Sequence, residues 1–137
     1  MAANPVLGGG CLCGGVRYEI TGPVGSAVMC HCSMCRRASG SAFAVNAGVR
    51  ADGFRVVAGA DVMREFESSP GKFRVFCSRC GSPLYGRWEA HPEFVRIRLG
   101  TLDGDPGVRP VMHVWVGARA PWFEIADSLH RLEDDGS

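Results

Sequence analysis

Cys30-His31-Cys32-Ser33-Met34-Cys35 places three thiols within one short stretch of this chain. Two further groups, Cys11-Leu12-Cys13 and Cys77-Ser78-Arg79-Cys80-Gly81, hold the remaining cysteines, so all seven lie in tight clusters. Thiolates two or three residues apart can turn toward one ion, and zinc accepts such ligands in a tetrahedron at about 2.3 Å. Seven thiolates divide into four and three. This division predicts one closed structural zinc site and a second site with an open position.

Disulfide bonds are the alternative use of these cysteines. Their odd number and close spacing argue against a disulfide framework, and residues 1–10 contain neither the basic segment nor the apolar run of a secretory signal. We therefore expect metal ligands in a cytoplasmic protein. No apolar stretch approaches the roughly 20 residues needed to span a bilayer. The net charge of +1 provides no field for nucleic acid or an anionic membrane, so neither is expected as a partner.

The rest of the sequence predicts an all-β fold. Residues 16–20, 72–76 and 94–99 alternate apolar and polar side chains, as strands with one buried face do. Glycine-rich and proline-rich turns separate further predicted strands at 27–32, 42–47, 54–57, 64–67, 84–88 and 112–116. Helices are hard to find in the sequence. The length of 137 residues suits a single domain over residues 1–137, with an acidic tail that is disordered from about residue 133.

The local geometry of the cysteine groups can be predicted in part. Alternate side chains of a strand share a face, so Cys30 and Cys32 would point together, with His31 opposite them as a neighbour rather than a ligand. The run from Cys77 to Gly81 is a zinc-knuckle pattern, in which a tight turn brings two sulfurs to one ion. Spacing alone leaves open which groups join, because either outer pair could also combine with the middle group.

Three runs, residues 10–18, 30–37 and 77–81, together with His113-Val114-Trp115 and Ala120-Pro121-Trp122, resemble the glutathione-dependent formaldehyde-activating enzyme family, which also includes centromere protein V. The resemblance implies a mainly antiparallel, zinc-stabilised β-sheet fold of the Mss4-like type. It also implies two zinc ions per chain: a structural ion held by Cys11, Cys13, Cys77 and Cys80, and a catalytic ion with an exchangeable fourth ligand held by Cys30, Cys32 and Cys35.

The activity implied by the resemblance is that of a carbon–sulfur lyase, which joins a small-molecule thiol such as glutathione to formaldehyde or another small aldehyde. Zinc lowers the pKa of a bound thiol from about 8.5 and so supplies thiolate at neutral pH, while zinc-bound hydroxide is a weaker alternative nucleophile. Arg36 and Arg37 directly follow Cys35 and are candidate contacts for the carboxylates of an acidic thiol.

The remaining functional candidates carry weaker signals. Trp115 and Trp122 are expected mainly to fill the core, although Trp122 is also a candidate substrate contact. The four histidines are scattered along the sequence, and no acid or base partner is predicted for the three-cysteine group.

Two other functions stay open. A zinc-stabilised binding module without turnover would also explain seven cysteines, because structural zinc contributes on the order of 10–16 kcal/mol. A purely structural second site would, however, need a fourth protein ligand, and there is no eighth cysteine. A thiol redox protein using Cys32 and Cys35 is less favoured, because this Cys-x-x-Cys unit is not predicted to open a helix.

Overall fold

The computed structural model describes residues 6–135. Strands dominate this part of the chain, and they form one sheet of three strands and one of eight. The strands are β1 (Leu7–Gly10), β2 (Arg17–Ile20), β3 (Ala27–Cys30), β4 (Ala44–Arg50), β5 (Phe54–Ala58), β6 (Met63–Ser69), β7 (Lys72–Cys77), β8 (Pro83–Trp88), β9 (Phe94–Arg98), β10 (Pro110–Val114) and β11 (His130–Arg131). A helix, α1, covers Ser33–Ser39, and short 3-10 turns cover Ala51–Gly53, Ala60–Val62, Leu99–Thr101 and Val116–Ala118.

The topology is mainly antiparallel. The small sheet has the order β1-β2-β5 and the large sheet the order β11-β10-β3-β4-β9-β8-β7-β6. Strand β10 pairs in parallel with β3 and with β11, which places a late segment of the chain beside the strand that leads into the middle cysteine group. The predicted all-β, mainly antiparallel fold is confirmed. Between residues 6 and 135, the structure contains no helix with the length and apolar character that crossing a bilayer requires.

A hydrophobic core lies between the two sheets. Tyr18 and Ile20 of β2 pack into the same buried cluster as Val49 of β4 and Ile97 of β9. Burying a side chain of this size stabilises a fold by about 1.5–3 kcal/mol. Cys11 and Cys77 belong to that cluster, so the outer cysteine groups lie at the edge of the main core.

Strand β1 was not predicted because three of its four residues are glycines, which carry no strand signal. Its pairing with β2 explains this composition. A Cβ atom on Gly9 would lie 2.5 Å from the ring of Tyr18, so only glycine lets the backbone approach the buried tyrosine. Close packing against β2 thus replaces the propensity that β1 lacks.

Helix α1 contradicts the prediction that the Cys32–Cys35 unit does not open a helix. The Sγ atom of Cys32 caps the helix by accepting a hydrogen bond from the N–H of Cys35 at 3.2 Å. Gly40, with φ of 65°, ends it in the left-handed conformation. Seven residues are too few to show a helical period in the sequence, and cysteine is not a usual capping residue, so both signals were weak.

The acidic tail pairs with the turn that follows β10. Trp115 begins this turn with φ of 60°, which is unfavourable for a bulky residue. Its N–H donates to the carbonyl of Asp134 at 2.9 Å, and the N–H of Gly117 donates to the carbonyl of Glu133 at 3.2 Å. Glu133 and Asp134 belong to the tail that is expected to be disordered from about residue 133. Residues 1–5 and 136–137 of the predicted domain lie outside the described residues.

Gly59 provides a test of how closely the loop after Cys13 must pack. Its φ is +82°, and an added Cβ would lie 2.1 Å from the carbonyl oxygen of Gly15. We expect Gly59→Ala to lower the free energy of unfolding by about 1–3 kcal/mol, because the side chain is strained and the loop must move. Urea denaturation of the zinc-loaded protein measures the change. Gly48→Ala, where a Cβ meets nothing within 4 Å, is the matched control. Equal midpoints for the two variants would contradict this packing argument.

Candidate metal centres

The two outer cysteine pairs form one cluster, centre 1. The sulfur atoms of Cys11, Cys13, Cys77 and Cys80 all lie within 4.8 Å of one another. The Cys11–Cys13 sulfur distance is 3.6 Å and the Cys13–Cys77 sulfur distance is 3.9 Å. A tetrahedron with metal–sulfur bonds of about 2.3 Å has sulfur–sulfur edges of about 3.8 Å. The four thiols of centre 1 therefore have the spacing of a closed zinc site.

Turns, not strands, position the sulfurs of centre 1. Cys11 and Cys13 follow β1 in a turn closed by a hydrogen bond from the N–H of Gly14 to the carbonyl of Cys11, at 3.1 Å. Cys77 ends β7, and the N–H of Gly81 returns to its carbonyl at 2.8 Å, with φ of 78° at the glycine. This second turn has the shape that the zinc-knuckle pattern predicts.

Hydrogen bonds to two sulfurs of centre 1, those of Cys80 and Cys11, favour the thiolate form. The hydroxyl of Ser82 lies 3.2 Å from the Sγ atom of Cys80. This contact, helped by backbone N–H groups, lowers the pKa of Cys80 to about 5. The N–H of Val16 donates to the Sγ atom of Cys11 at 3.2 Å. Such donors favour the thiolate form, which is the form that binds metal.

The middle group forms a second cluster, centre 2. The sulfurs of Cys30, Cys32 and Cys35 also lie within 4.8 Å of one another. Cys30 ends β3, Cys32 caps α1 and Cys35 lies in its first turn, so a strand end and a helix start bring the three together. Within residues 6–135, no histidine, aspartate, glutamate or further cysteine joins this cluster. Centre 2 thus supplies three protein donors for a tetrahedral ion.

Two thiols of centre 2, those of Cys30 and Cys32, have pKa values shifted in opposite directions. The hydrogen bond with Cys32 raises the pKa of Cys30, and the same contact with Cys30 lowers the pKa of Cys32. This contact therefore favours the thiolate at Cys32 and the thiol at Cys30. A soft divalent ion that displaces the remaining protons suits this donor set, and zinc fits both the all-sulfur ligands and the tetrahedral spacing.

Centre 2 opens into a cavity of about 500 Å³. Its three cysteines line one part of the wall, and strands of the large sheet form another part, with four cationic side chains, Lys72, Arg74, Arg96 and Arg98. The Nη2 atom of Arg74 donates to the Sγ atom of Cys35 at 3.6 Å, which joins the cationic wall to the cysteines. A small molecule in this cavity would meet both the open side of centre 2 and a row of positive charges.

Comparison with known proteins agrees with this arrangement. The sequence profile of the glutathione-dependent formaldehyde-activating enzyme family matches residues 6–118, a range that includes both centres. This chain belongs to that family.

Relatives extend the family assignment across most of the chain. A protein of Halomonas elongata, provisionally named a glutathione-dependent formaldehyde-activating enzyme, is 35% identical over 132 residues, covering 88% of this chain and 81% of its own. A similarly named protein of Aspergillus flavus is 33% identical over 101 residues, and only 53% of its length is covered. The crystal structure of a Rhodobacter sphaeroides protein is similar at 29% identity with a TM-score of 0.62, covering 72% of this chain and 89% of that one.

The three candidate substrate contacts predicted from the sequence, Arg36, Arg37 and Trp122, do not line the cavity. The Nε atom of Arg36 donates to the carbonyl of Ala118 at 3.2 Å, and Arg37 is exposed. Neither arginine lines the cavity, and neither does Trp122, which is 70% exposed. Trp115 does line it and is 38% exposed, so the expectation that the two tryptophans fill the core is wrong.

The histidines, expected to be scattered, include a buried pair. His31 and His113 are 0% and 1% exposed, and their Nε2 and Nδ1 atoms lie 2.8 Å apart. The Nε2 atom of His113 lies 3.0 Å from a carboxylate oxygen of Asp127. Burial, followed by the charge of His113, lowers the pKa of His31 and favours its neutral form.

The packing of this pair agrees with the expectation that His31 is a neighbour rather than a ligand of the cysteines. The ring of His31 packs against Phe43, at 5.1 Å between ring centroids, and His31 does not belong to the cluster of Cys30, Cys32 and Cys35. His31 and His113 lie 82 residues apart, so only the parallel pairing of β3 with β10 brings them together. Sequence spacing contains no signal for this contact.

Proposed function

We propose that this protein catalyses the reversible, zinc-dependent addition of a small thiol, glutathione or a similar molecule, to formaldehyde or another small aldehyde. One observation carries the proposal: three thiols converge on one point, no fourth protein donor joins them among residues 6–135, and they face a cavity of about 500 Å³. A purely structural centre is expected to close its tetrahedron with protein ligands, as the four sulfurs of centre 1 do.

The chemistry needs a thiolate held beside a carbonyl group. Zinc bound at centre 2 would supply Lewis-acid charge that lowers the pKa of an entering thiol from about 8.5. Cys30, Cys32 and Cys35 would hold the ion, and Val114 and Trp115 line the cavity beside them. The thiol sulfur forms a bond to the aldehyde carbon, and the thiol proton ends on the carbonyl oxygen. Reversal breaks the same carbon–sulfur bond, hence a carbon–sulfur lyase.

Proton transfer in this scheme uses solvent. His31 and His113 are buried and do not line the cavity, so neither is placed to reach a bound aldehyde. The cavity is open to water on one side, as the exposure of Trp115 indicates. Water therefore carries the proton from the thiol to the alkoxide.

The proposed setting is the cytoplasm. All seven cysteines are free thiols, and both centres need them reduced. Reducing compartments keep thiols in that state.

Turnover with a panel of thiols and aldehydes tests the proposal. We expect the zinc-loaded protein to accelerate adduct formation at least about tenfold over the spontaneous reaction for one pair, because a bound thiolate is both ionised and oriented. NMR exchange between free and adduct aldehyde measures both rates. Protein stripped by a chelator should lose the acceleration and regain it with zinc. No acceleration with any pair, in protein that contains two zinc ions, would contradict the proposal.

A zinc-stabilised binding module without turnover is the second candidate. The observation in its favour is that the cavity carries four cationic side chains that can hold a ligand without any reaction. Binding of a thiol without acceleration of its addition to aldehydes would favour this candidate over the enzyme.

A further inference from the structure

The register of the large sheet aligns cationic side chains of neighbouring strands into a row that forms one wall of the cavity. Arg74 of β7 lies directly opposite Gly86 of β8, and Gly86 lies directly opposite Arg96 of β9. Arg96 in turn pairs with Gly48 of β4. The two arginines therefore project from the same face of the sheet, separated by a position that has no side chain. The guanidinium of Arg98 lies over this glycine, with its Nη2 atom 3.6 Å from the position that a Cβ atom would take, so glycine lets three arginine side chains gather on this face.

Several nitrogen atoms of this row have no partner. The Nε and Nη1 atoms of Arg74 and the Nη1 atom of Arg96 are buried and donate no hydrogen bond to any of the described residues. Arg98 differs, because its Nη1 atom donates to the amide oxygen of Asn46 at 2.8 Å. Buried donors without partners are rare in native proteins, and those that line a cavity are available to a ligand. The unpaired donors thus point to an acceptor that binds beside Arg74 and Arg96 in the cavity.

The charge of the row argues that this acceptor is an anion. Burial lowers the pKa of Arg96 because the guanidinium loses hydration, and it does the same for Arg98. Both side chains nevertheless stay charged at neutral pH, since guanidinium groups do not lose their proton in proteins. A buried cation is stabilised by a negative partner at hydrogen-bond distance. A neutral ligand would satisfy the donors but not the charge.

Trp88 holds the outer part of the row in place. The Cζ atom of Arg96 lies 3.4 Å from the centroid of the Trp88 ring, and the Nζ atom of Lys72 lies 4.2 Å from it. Stacking on the indole fixes the plane of the guanidinium and so prepares its fork for a planar acceptor. Carboxylates have this planar, bidentate geometry.

We propose that Arg74 and Arg96, with Lys72, bind the carboxylate of an acidic thiol and select such thiols for centre 2, an inference that rests on the proposed function. The contact of Arg74 with the Sγ atom of Cys35 places the row beside the cysteines, so a thiol bound by its carboxylate lies in the same cavity as centre 2. The row is a binding and specificity element, and it forms no bond in the reaction. Arg96 is the better residue to test, because it is not in contact with a metal-binding cysteine.

Binding without aldehyde tests this assignment directly. Two thioethers of nearly equal size, 3-(methylthio)propionate and 3-(methylthio)propanamide, differ in charge and cannot form an adduct. We expect the zinc-loaded protein to bind the carboxylate about 10–100-fold more tightly than the amide, the range for a hydrogen-bonded charge. Isothermal titration calorimetry measures both affinities. Arg96→Gln should remove most of the difference, Arg96→Lys should retain part of it, and Arg55→Gln, an exposed arginine paired with Glu19, should leave it unchanged.

Several results would overturn the inference: equal affinities for the two thioethers, no binding of either, or an unchanged preference in Arg96→Gln. Inorganic phosphate that displaces the carboxylate at a tenth of its concentration would overturn the choice of carboxylate. Turnover with 3-mercaptopropionate and 3-mercaptopropanamide separates this inference from the proposed function. Equal kcat/KM for the two thiols would contradict the proposed selectivity and leave the proposed activity intact. Charge-selective binding without turnover would contradict the proposed activity and leave the anion site intact. In Arg96→Gln we expect KM for the acidic thiol to rise while kcat changes little.

Discussion

Cys77→Ser should leave this protein largely unfolded at 25 °C. Cys77 is 0% exposed and belongs both to centre 1 and to the main hydrophobic core. Structural zinc contributes on the order of 10–16 kcal/mol, whereas a domain of this kind has a net stability of about 5–15 kcal/mol. Replacing one of four thiolates with a serine hydroxyl removes much of the zinc contribution and buries a polar group. The loss is therefore comparable to the whole stability of the fold.

Far-UV circular dichroism and zinc analysis of the purified variant measure this effect. Wild-type protein should contain about two zinc ions per chain, as two separate sulfur clusters predict. Cys35→Ser is the matched control, since it makes the same substitution at another buried cysteine outside the main core. A folded Cys77→Ser protein with a wild-type melting temperature would show that centre 1 does not support the fold.

Local patterns predicted most of the strands but not all of them. The alternating residues of β2, β7 and β9 have one buried face in the structure, as their sequence indicates. Strand β1 and helix α1 were missed because their stability comes from a neighbour. β1 depends on close approach to Tyr18, and α1 depends on a cysteine cap and a terminal glycine. The hydrophobic periodicity of a single segment does not reveal such contacts.

The cysteine clusters could be predicted from the sequence in part, whereas the cationic row could not. Thiols that are close in the sequence can be recognised as candidate metal ligands from their spacing. The assignment of the two outer pairs to one centre, by contrast, required a family resemblance. In β7 and β9, the alternating pattern indicates only that the polar positions lie on the face opposite the buried one. A single strand does not distinguish a side chain in water from one in a cavity, and only the register that aligns Arg74, Gly86 and Arg96 reveals the row.

Cys35→Ser is expected to give the opposite result to Cys77→Ser: a folded protein that has lost its activity. Cys35 belongs to a small satellite cluster with Cys30 and Ala44, away from the main core. The substitution leaves centre 1 intact, so the fold should persist with about one zinc ion per chain. Two remaining thiols do not hold an exchangeable ion firmly, since catalytic zinc uses three protein ligands.

The loss of turnover should be at least about hundredfold. Without the ion, a thiol of pKa about 8.5 is only a few per cent ionised at neutral pH, and the sulfur is no longer held beside the carbonyl. Zinc content, melting temperature and adduct formation, measured on one preparation, separate these effects. If Cys35→Ser keeps two zinc ions and wild-type rates, another donor closes centre 2, and the open position on which the proposed reaction depends does not exist. If it instead unfolds as Cys77→Ser does, both centres are structural and the binding-module function becomes the better account of the seven cysteines.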